Sequence, residues 1–145
     1  MRNTKSLGDL AELAFTYQAM IRGCVVSIPV GDNARYDRII DNGTKLLRIQ
    51  VKSAGVLSAG NRYNVSIGRH LPTGAVPYLP AEIDFLAIYI FPEDRWFIVP
   101  VRETGGRVAI KIRPKDAGGH GPFSQFAEAW HVLQAKPRKL HTTQG

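Results

Sequence analysis

Two strand-like runs, residues 35–41 and 45–53, flank the dipeptide Asn42-Gly43. Asn-Gly between such runs is the strongest short-range hairpin signal, because a tight two-residue turn needs positive φ at both positions. The pattern predicts an antiparallel pair with Asp41 opposite Thr44, Asp37 opposite Arg48 and Arg35 opposite Gln50. Strand side chains alternate between faces. Asp37, Arg48, Gln50 and Lys52 therefore share one face, and Ile40, Leu47, Ile49 and Val51 share the other, which reads as core. In this register Asp37 and Gln50 are diagonal neighbours, about 7–8 Å apart at the backbone.

That polar face carries a chemically specific set. Hydrolysis of a phosphodiester needs a water placed in line and charge stabilised on the phosphate. Magnesium is a hard, oxygen-seeking cation held by one or two carboxylates and several waters. Asp37 offers the charged ligand, the Gln50 amide oxygen a neutral one, and the Val51 carbonyl a third point. Lys52 offers a cation to orient the water and balance the phosphate. On spacing alone the competing reading stands beside this one: an Asp, a Gln and a Lys on a strand face are commonly solvated surface positions.

Around the hairpin the chain reads as α, several β, then α. Residues 6–22 predict a helix with the apolar stripe Leu10, Leu13, Ala14, Tyr17, Met20 and Ile21. Ser6 with Asp9 resembles a capping box, and Gly23 suits the stop. Further strands are expected at 24–30, 62–67, 84–91, 95–101 and 108–112, with Pro92-Glu93-Asp94 as a turn and 68–80 as a loop. Pro122 opens a second expected helix with Phe123, Phe126, Ala127, Trp130 and Leu133 on its apolar side. Trp96, Phe97 and Trp130 read as core. The order argues for an α/β fold, a central mixed sheet flanked by helices. Residues 1–135 are expected to form one domain and 136–145 a basic tail.

Charge narrows the partner. The chain has 145 residues and a formal net charge of +7, an excess that favours a polyanion. The single cysteine, Cys24, excludes an intrachain disulfide and sits in an apolar run. No stretch approaches a membrane span and no apolar signal core is present, so the expected location is intracellular, in the cytoplasm with DNA. Arg35, Arg38, Arg62 and Arg69 are candidate phosphate contacts, with Arg35 foremost because it adjoins the site strand. His70 and Tyr78 lie in the proline-rich loop, and His70 reads as a surface histidine. Asp84 precedes an apolar strand as a cap or turn. Gly118-Gly119-His120-Gly121 lacks the lysine of a phosphate loop and reads as a connector.

Gly8-Asp9-Leu10-Ala11-Glu12, then Tyr36-Asp37, then Gln50-Val51-Lys52, in that order, resembles the PD-(D/E)XK nuclease superfamily. Within it the chain is similar to the group I intron-associated homing endonucleases, where glutamine replaces the acidic residue before x-Lys. Val26-Ser27-Ile28-Pro29-Val30-Gly31-Asp32-Asn33, and the stretch from Glu82-Ile83-Asp84-Phe85 to Trp96-Phe97-Ile98-Val99-Pro100, extend the likeness over residues 6–101. The resemblance implies a restriction-endonuclease-like αβββαβ core and magnesium-dependent DNA cleavage, with manganese as a substitute. It assigns Glu12, Asp37, Gln50 and Lys52 as catalytic, with Glu12, Asp37, Gln50 and the Val51 carbonyl at the metal. Without it, Glu12 reads as an exposed helix glutamate. Gly8, one turn before Glu12, would leave room for a sugar-phosphate backbone, and joins Arg35, Arg62 and Arg69 as an expected DNA contact. The expected partner is double-stranded or branched DNA, with a homodimer or homotetramer as working unit, because a double-strand cut needs two sites. A junction-resolving nuclease and a noncatalytic DNA-binding module on the same fold are the alternatives. Gln50, being uncharged, leaves this site one negative charge short of the usual motif.

Overall fold

The computed structural model describes residues 3–115 and 121–135. The expected basic tail and the Gly118–Gly121 connector fall wholly or largely outside them. A helix, α1 (Thr4–Ile21), is followed by β1 (Val25–Ser27), β2 (Arg38–Asp41) and β3 (Leu46–Ala54). Four short strands come next: β4 (Leu57–Ser58), β5 (Arg62–Ser66), β6 (Arg69–Leu71) and β7 (Gly74–Val76). The chain then makes β8 (Phe85–Ile90), β9 (Arg95–Pro100) and β10 (Ala109–Ile112). The main sheet runs β1-β2-β3-β8-β9, and β10-β5-β4 and β6-β7 form two smaller sheets. Only β3 and β8 pair in parallel in the main sheet, so it is mixed. The α/β class with a restriction-endonuclease-like core is thus borne out.

Parallel neighbours need a crossover of a dozen or more residues, usually a helix. Here the segment between β3 and β8 makes strands instead, so the αβββαβ order is met only in its first part. β5 and the residue after it do a helix's work: Tyr63, Val65 and Ile67 are buried and pack with Ala54, Leu86, Ile88 and Ile90. On the opposite side of the main sheet, Ala11, Phe15 and Ala19 of α1 pack with Ile40, Ile49, Val51, Ala87, Trp96, Ile98 and Trp130. Cys24 is a free, buried thiol in this second core.

The hairpin departs from the two-residue loop. Asp41 pairs with Leu46 and Arg38 with Ile49, leaving Asn42–Lys45 as the connection. The Asn42 side chain explains the longer loop: its Oδ1 accepts the Thr44 and Lys45 amides at 3.0 and 2.9 Å. Its Nδ2 donates to Leu133 O at 2.9 Å. An asparagine that caps its own loop and anchors a distant segment does not sit in a tight turn. The register moves by two residues, which preserves every face assignment.

α1 differs in the face it buries. The buried residues are Ala11, Phe15 and Ala19, whereas Leu13, Tyr17, Met20 and Ile21 are 61, 63, 60 and 58% exposed. The helix is apolar on two sides, and the sheet takes the alanine-rich one, where the helix can approach and Phe15 can reach both Trp96 and Trp130, each at 5.9 Å between ring centroids. Asn3, not Ser6, caps the helix, accepting the Ser6 amide at 2.9 Å. The loop expected at 68–80 contains the β6–β7 hairpin. The second expected helix is absent: two short 3-10 turns, Ser124–Phe126 and Trp130–Leu133, flank an extended Ala127. Ala127 bridges to Phe97, and Glu128, at φ +50, accepts the Trp96 amide and the Trp130 indole at 2.9 and 2.7 Å. Edge pairing with β9 outcompetes a helix there.

Candidate active site

β2 stops at Arg38 while β3 runs on to Ala54, and the divergence leaves the Val51 amide without a strand partner on that side. Asp37 fills the gap. Its backbone amide donates to Ile49 O at 2.8 Å, and its carboxylate accepts the Val51 amide at 2.8 Å. The amide and carbonyl of one strand residue point toward the same neighbour. The Val51 carbonyl therefore also faces the edge where Asp37 stands.

α1 brings Glu12 to the same edge. The Glu12 and Asp37 carboxyls interact, and Glu12 is pushed up to about 7, by burial first and by Asp37 second. Arg38, a buried arginine, joins the two carboxylate-bearing segments. Its Nε donates to Thr16 Oγ1 at 2.9 Å and its Nη1 to the Asp37 carbonyl at 2.7 Å. Thr16 in turn donates to Glu12 O at 2.9 Å. Arg38, expected from the sequence as a candidate phosphate contact, is instead a buried positioning group. Its placement between Asp37 and an apolar strand was the signal available.

Gln50 and Lys52 project from β3 on the face opposite Val51. The Gln50 amide makes no side-chain hydrogen bond among the described residues and is half-buried. Lys52 Nζ lies 3.3 Å from Gly68 O and 5.6 Å from the centroid of the Tyr78 ring. Burial pulls its ammonium below the ordinary lysine range, and the Asp37 charge opposes that. Tyr78 is raised, by burial and then by Asp37, while Arg69 pulls the other way. The loop after β7 thus closes one side of the site.

The other expected contacts are spread more widely. Gly8 is one turn before Glu12, and a Cβ there would meet nothing within 4 Å, so the space beside Glu12 is open. Arg69 has a buried Nε with no hydrogen-bond partner among the described residues. Arg35 is exposed and tied to Glu82 at 3.0 Å. Arg62 is exposed on β5, away from the carboxylates. His70 is exposed, with Nε2 3.4 Å from Ser66 Oγ. Asp84 is held by Arg48, whose amide and Nε reach Oδ2 at 2.7 and 3.2 Å. An open groove of about 330 Å³ begins at Glu12, Tyr36, Asp37 and Arg38 and runs under Pro29, Gly31 and Asp32.

No cluster of three His, Cys, Asp or Glu stands at ligating range among the described residues. Zinc is a poor match for such a site. Two carboxylates forced together, a free amide oxygen and a carbonyl do suit magnesium, which takes few protein ligands and keeps its waters. A divalent cation would also relieve the repulsion from Asp37 that adds to burial in raising Glu12.

A sheet that splits to present two carboxylates and a lysine is an arrangement suited to phosphodiester chemistry, and the family pattern of the PD-(D/E)XK endonucleases matches residues 2–133. The chain belongs to that family. Among solved structures it is similar to a bacterial homing endonuclease, I-Ssp6803I, with 29% identity and a TM-score of 0.78 over 91% of this chain and 93% of the other. The structure of MepB matches at 16% identity and a TM-score of 0.48, over 92% and 95% of the two chains. No curated protein matches significantly. The homing-endonuclease likeness read from the sequence is therefore borne out. Among the described residues no helix is long and apolar enough to cross a membrane.

Proposed function

We propose that this endonuclease hydrolyses phosphodiester bonds of DNA in the manner of a homing endonuclease, with magnesium, or manganese in its place, held by Asp37, Glu12, Gln50 and the Val51 carbonyl. The observation that carries this reading is the contact of Glu12 with Asp37 at the end of the β3 strand that bears Lys52. The ion, when bound, supplies charge to the scissile phosphate and acidifies a water. Asp37 is anchored by the Val51 amide and needs no rearrangement to act as ligand. Glu12 would hold the ion in its deprotonated form. Lys52, held by Gly68 O and faced by Tyr78, orients the nucleophilic water and balances the phosphate. Gly8 leaves space for the strand being cut, and Arg35, Arg62 and Arg69 extend the positive surface.

The working unit is a homodimer or homotetramer, since cutting both strands takes two sites. The exposed apolar face of α1, with Leu13, Tyr17, Met20 and Ile21, is the surface we assign to a second copy. The protein acts inside the cell, on its DNA.

The test is cleavage of supercoiled, linear and four-way-junction DNA by wild type and Lys52→Ala, with magnesium or manganese against chelator. Metal-dependent cutting, lost in the variant while DNA binding persists, is the expected result. Cutting that survives Lys52→Ala removes the assigned role of the lysine. DNA binding without cutting in any metal would leave a noncatalytic binding module.

A further inference from the structure

Every other residue of β5 and β10 faces away from the core. Arg62, Asn64 and Ser66 alternate outward from β5, and Ala109 and Lys111 from β10, with Asn64 opposite Lys111 and Ser66 opposite Ala109. β4 covers only Arg62 and Tyr63, so from Asn64 onward this is a two-stranded ribbon. Arg62, Asn64, Arg107 and Lys111 line an open groove of about 350 Å³ on it. No acidic residue occurs from Asn42 to Ala81 or from Thr104 to Lys115. Glu93 Oε1 lies at the far end of the ribbon, on the Lys115 amide and paired with Arg95.

We propose that this ribbon enters the major groove of duplex DNA beside the cut and reads base edges through Arg62, Asn64 and Lys111. The inference rests on the nuclease reading and adds to it the element that selects sequence. A two-stranded antiparallel ribbon is one of the two elements the major groove admits. Arginine and lysine match the guanine O6/N7 edge, and asparagine matches the adenine N6/N7 edge. The small Ser66–Ala109 pair lets the backbone come close, at the end of the ribbon nearest the site. There the chain passes through Ile67 to Gly68, whose carbonyl faces Lys52 Nζ at 3.3 Å. β5 rises about 3.3 Å per residue, so its three outward side chains span about four base pairs next to the scissile bond. A merely electrostatic surface would gain nothing from an asparagine at the centre of this face.

The experiment uses duplexes of randomised sequence and the full chain. Bound duplexes are sequenced in chelator and cleaved ends in magnesium, for wild type, Asn64→Ala, Lys111→Ala and the base-shifting variant Asn64→Arg. Expected is a wild-type motif whose preference falls ~10-fold at one or two adjacent base pairs in each alanine variant, with melting temperature unchanged. Asn64→Arg should shift the preferred base at the Asn64 position from adenine to guanine. The motif need not depend on catalysis: a bound motif without cleavage supports the ribbon and defeats the nuclease reading. Cleavage with no sequence preference, or the same motif in all variants, overturns the ribbon and leaves the nuclease standing. Weaker binding with an unchanged motif and a smaller salt slope would make these phosphate contacts, and also overturns it. Absence of both binding and cleavage overturns both.

Discussion

Replacing Glu12 by glutamine should make the metal-free protein more stable at alkaline pH, although it removes a proposed catalytic group. Glu12 is raised from an ordinary 4.5 to about 7 by burial and by Asp37. The folded protein therefore holds the Glu12 proton more tightly than the unfolded chain does, and stability contributed by the protonated form is complete below 4.5. It falls as pH rises from 4.5 through about 7, and above that the charged carboxylate is a standing cost. Fully shielded, such a difference would be worth about 3 kcal/mol. Glu12 is only partly buried, and solvent screening reduces this to about 1–2 kcal/mol. Thermal unfolding in chelator should give Glu12→Gln a melting temperature about 3–6 °C above wild type at pH 8.5. At pH 4.5 the two should coincide. Magnesium at pH 8.5 should reverse the order, raising wild type more than the variant, because binding to the folded state stabilises by mass action. Equal melting temperatures at both pH values, or a variant less stable at pH 8.5 in chelator, would refute a repulsive carboxylate pair.

Three further substitutions test neighbouring parts of the argument. Arg38→Leu should lower stability by about 2–4 kcal/mol, because Thr16 and the Asp37 carbonyl lose a buried donor, and should be followed by denaturant unfolding. An effect under half that size would mean the helix and site strand are held together by packing alone. Gly68→Ala should cost about 1–3 kcal/mol, since a Cβ there would lie 2.9 Å from Val76 O and 3.0 Å from the Val108 Cβ. Because Gly68 O also faces Lys52, its cleavage rate should fall further than its stability at working temperature explains. Leu13→Glu with Tyr17→Glu should leave the monomer folded and shift sedimentation toward a smaller species; a wild type already monomeric at micromolar concentration ends the proposed α1 interface.

The strands β2, β3, β8, β9 and β10 and the one long helix could be read along the chain because each depends on local alternation, periodicity and turn chemistry. The order of Glu12, Asp37, Gln50 and Lys52 was legible for a similar reason: a site built on one hairpin and one preceding helix leaves its residues in a fixed sequence. Three other features depended on partners distant in the chain. Asn42 signals a tight turn locally, but in the fold its side chain is bound by its own loop and by Leu133, which lengthens the connection. Residues 122–133 have helical periodicity, but the edge of β9 offers Ala127 and Glu128 better hydrogen bonds. α1 is apolar on two sides, and nothing within its own sequence ranks Leu13 and Tyr17 against Ala11 and Phe15. The choice belongs to the sheet, whose Trp96 and whose neighbour Trp130 leave a slot that only Phe15, flanked by small residues, fills. Sequence order supplies the chemical groups of this site, but their separation and charge arise only when β2 parts from β3 and the packed helix sets Glu12 against Asp37.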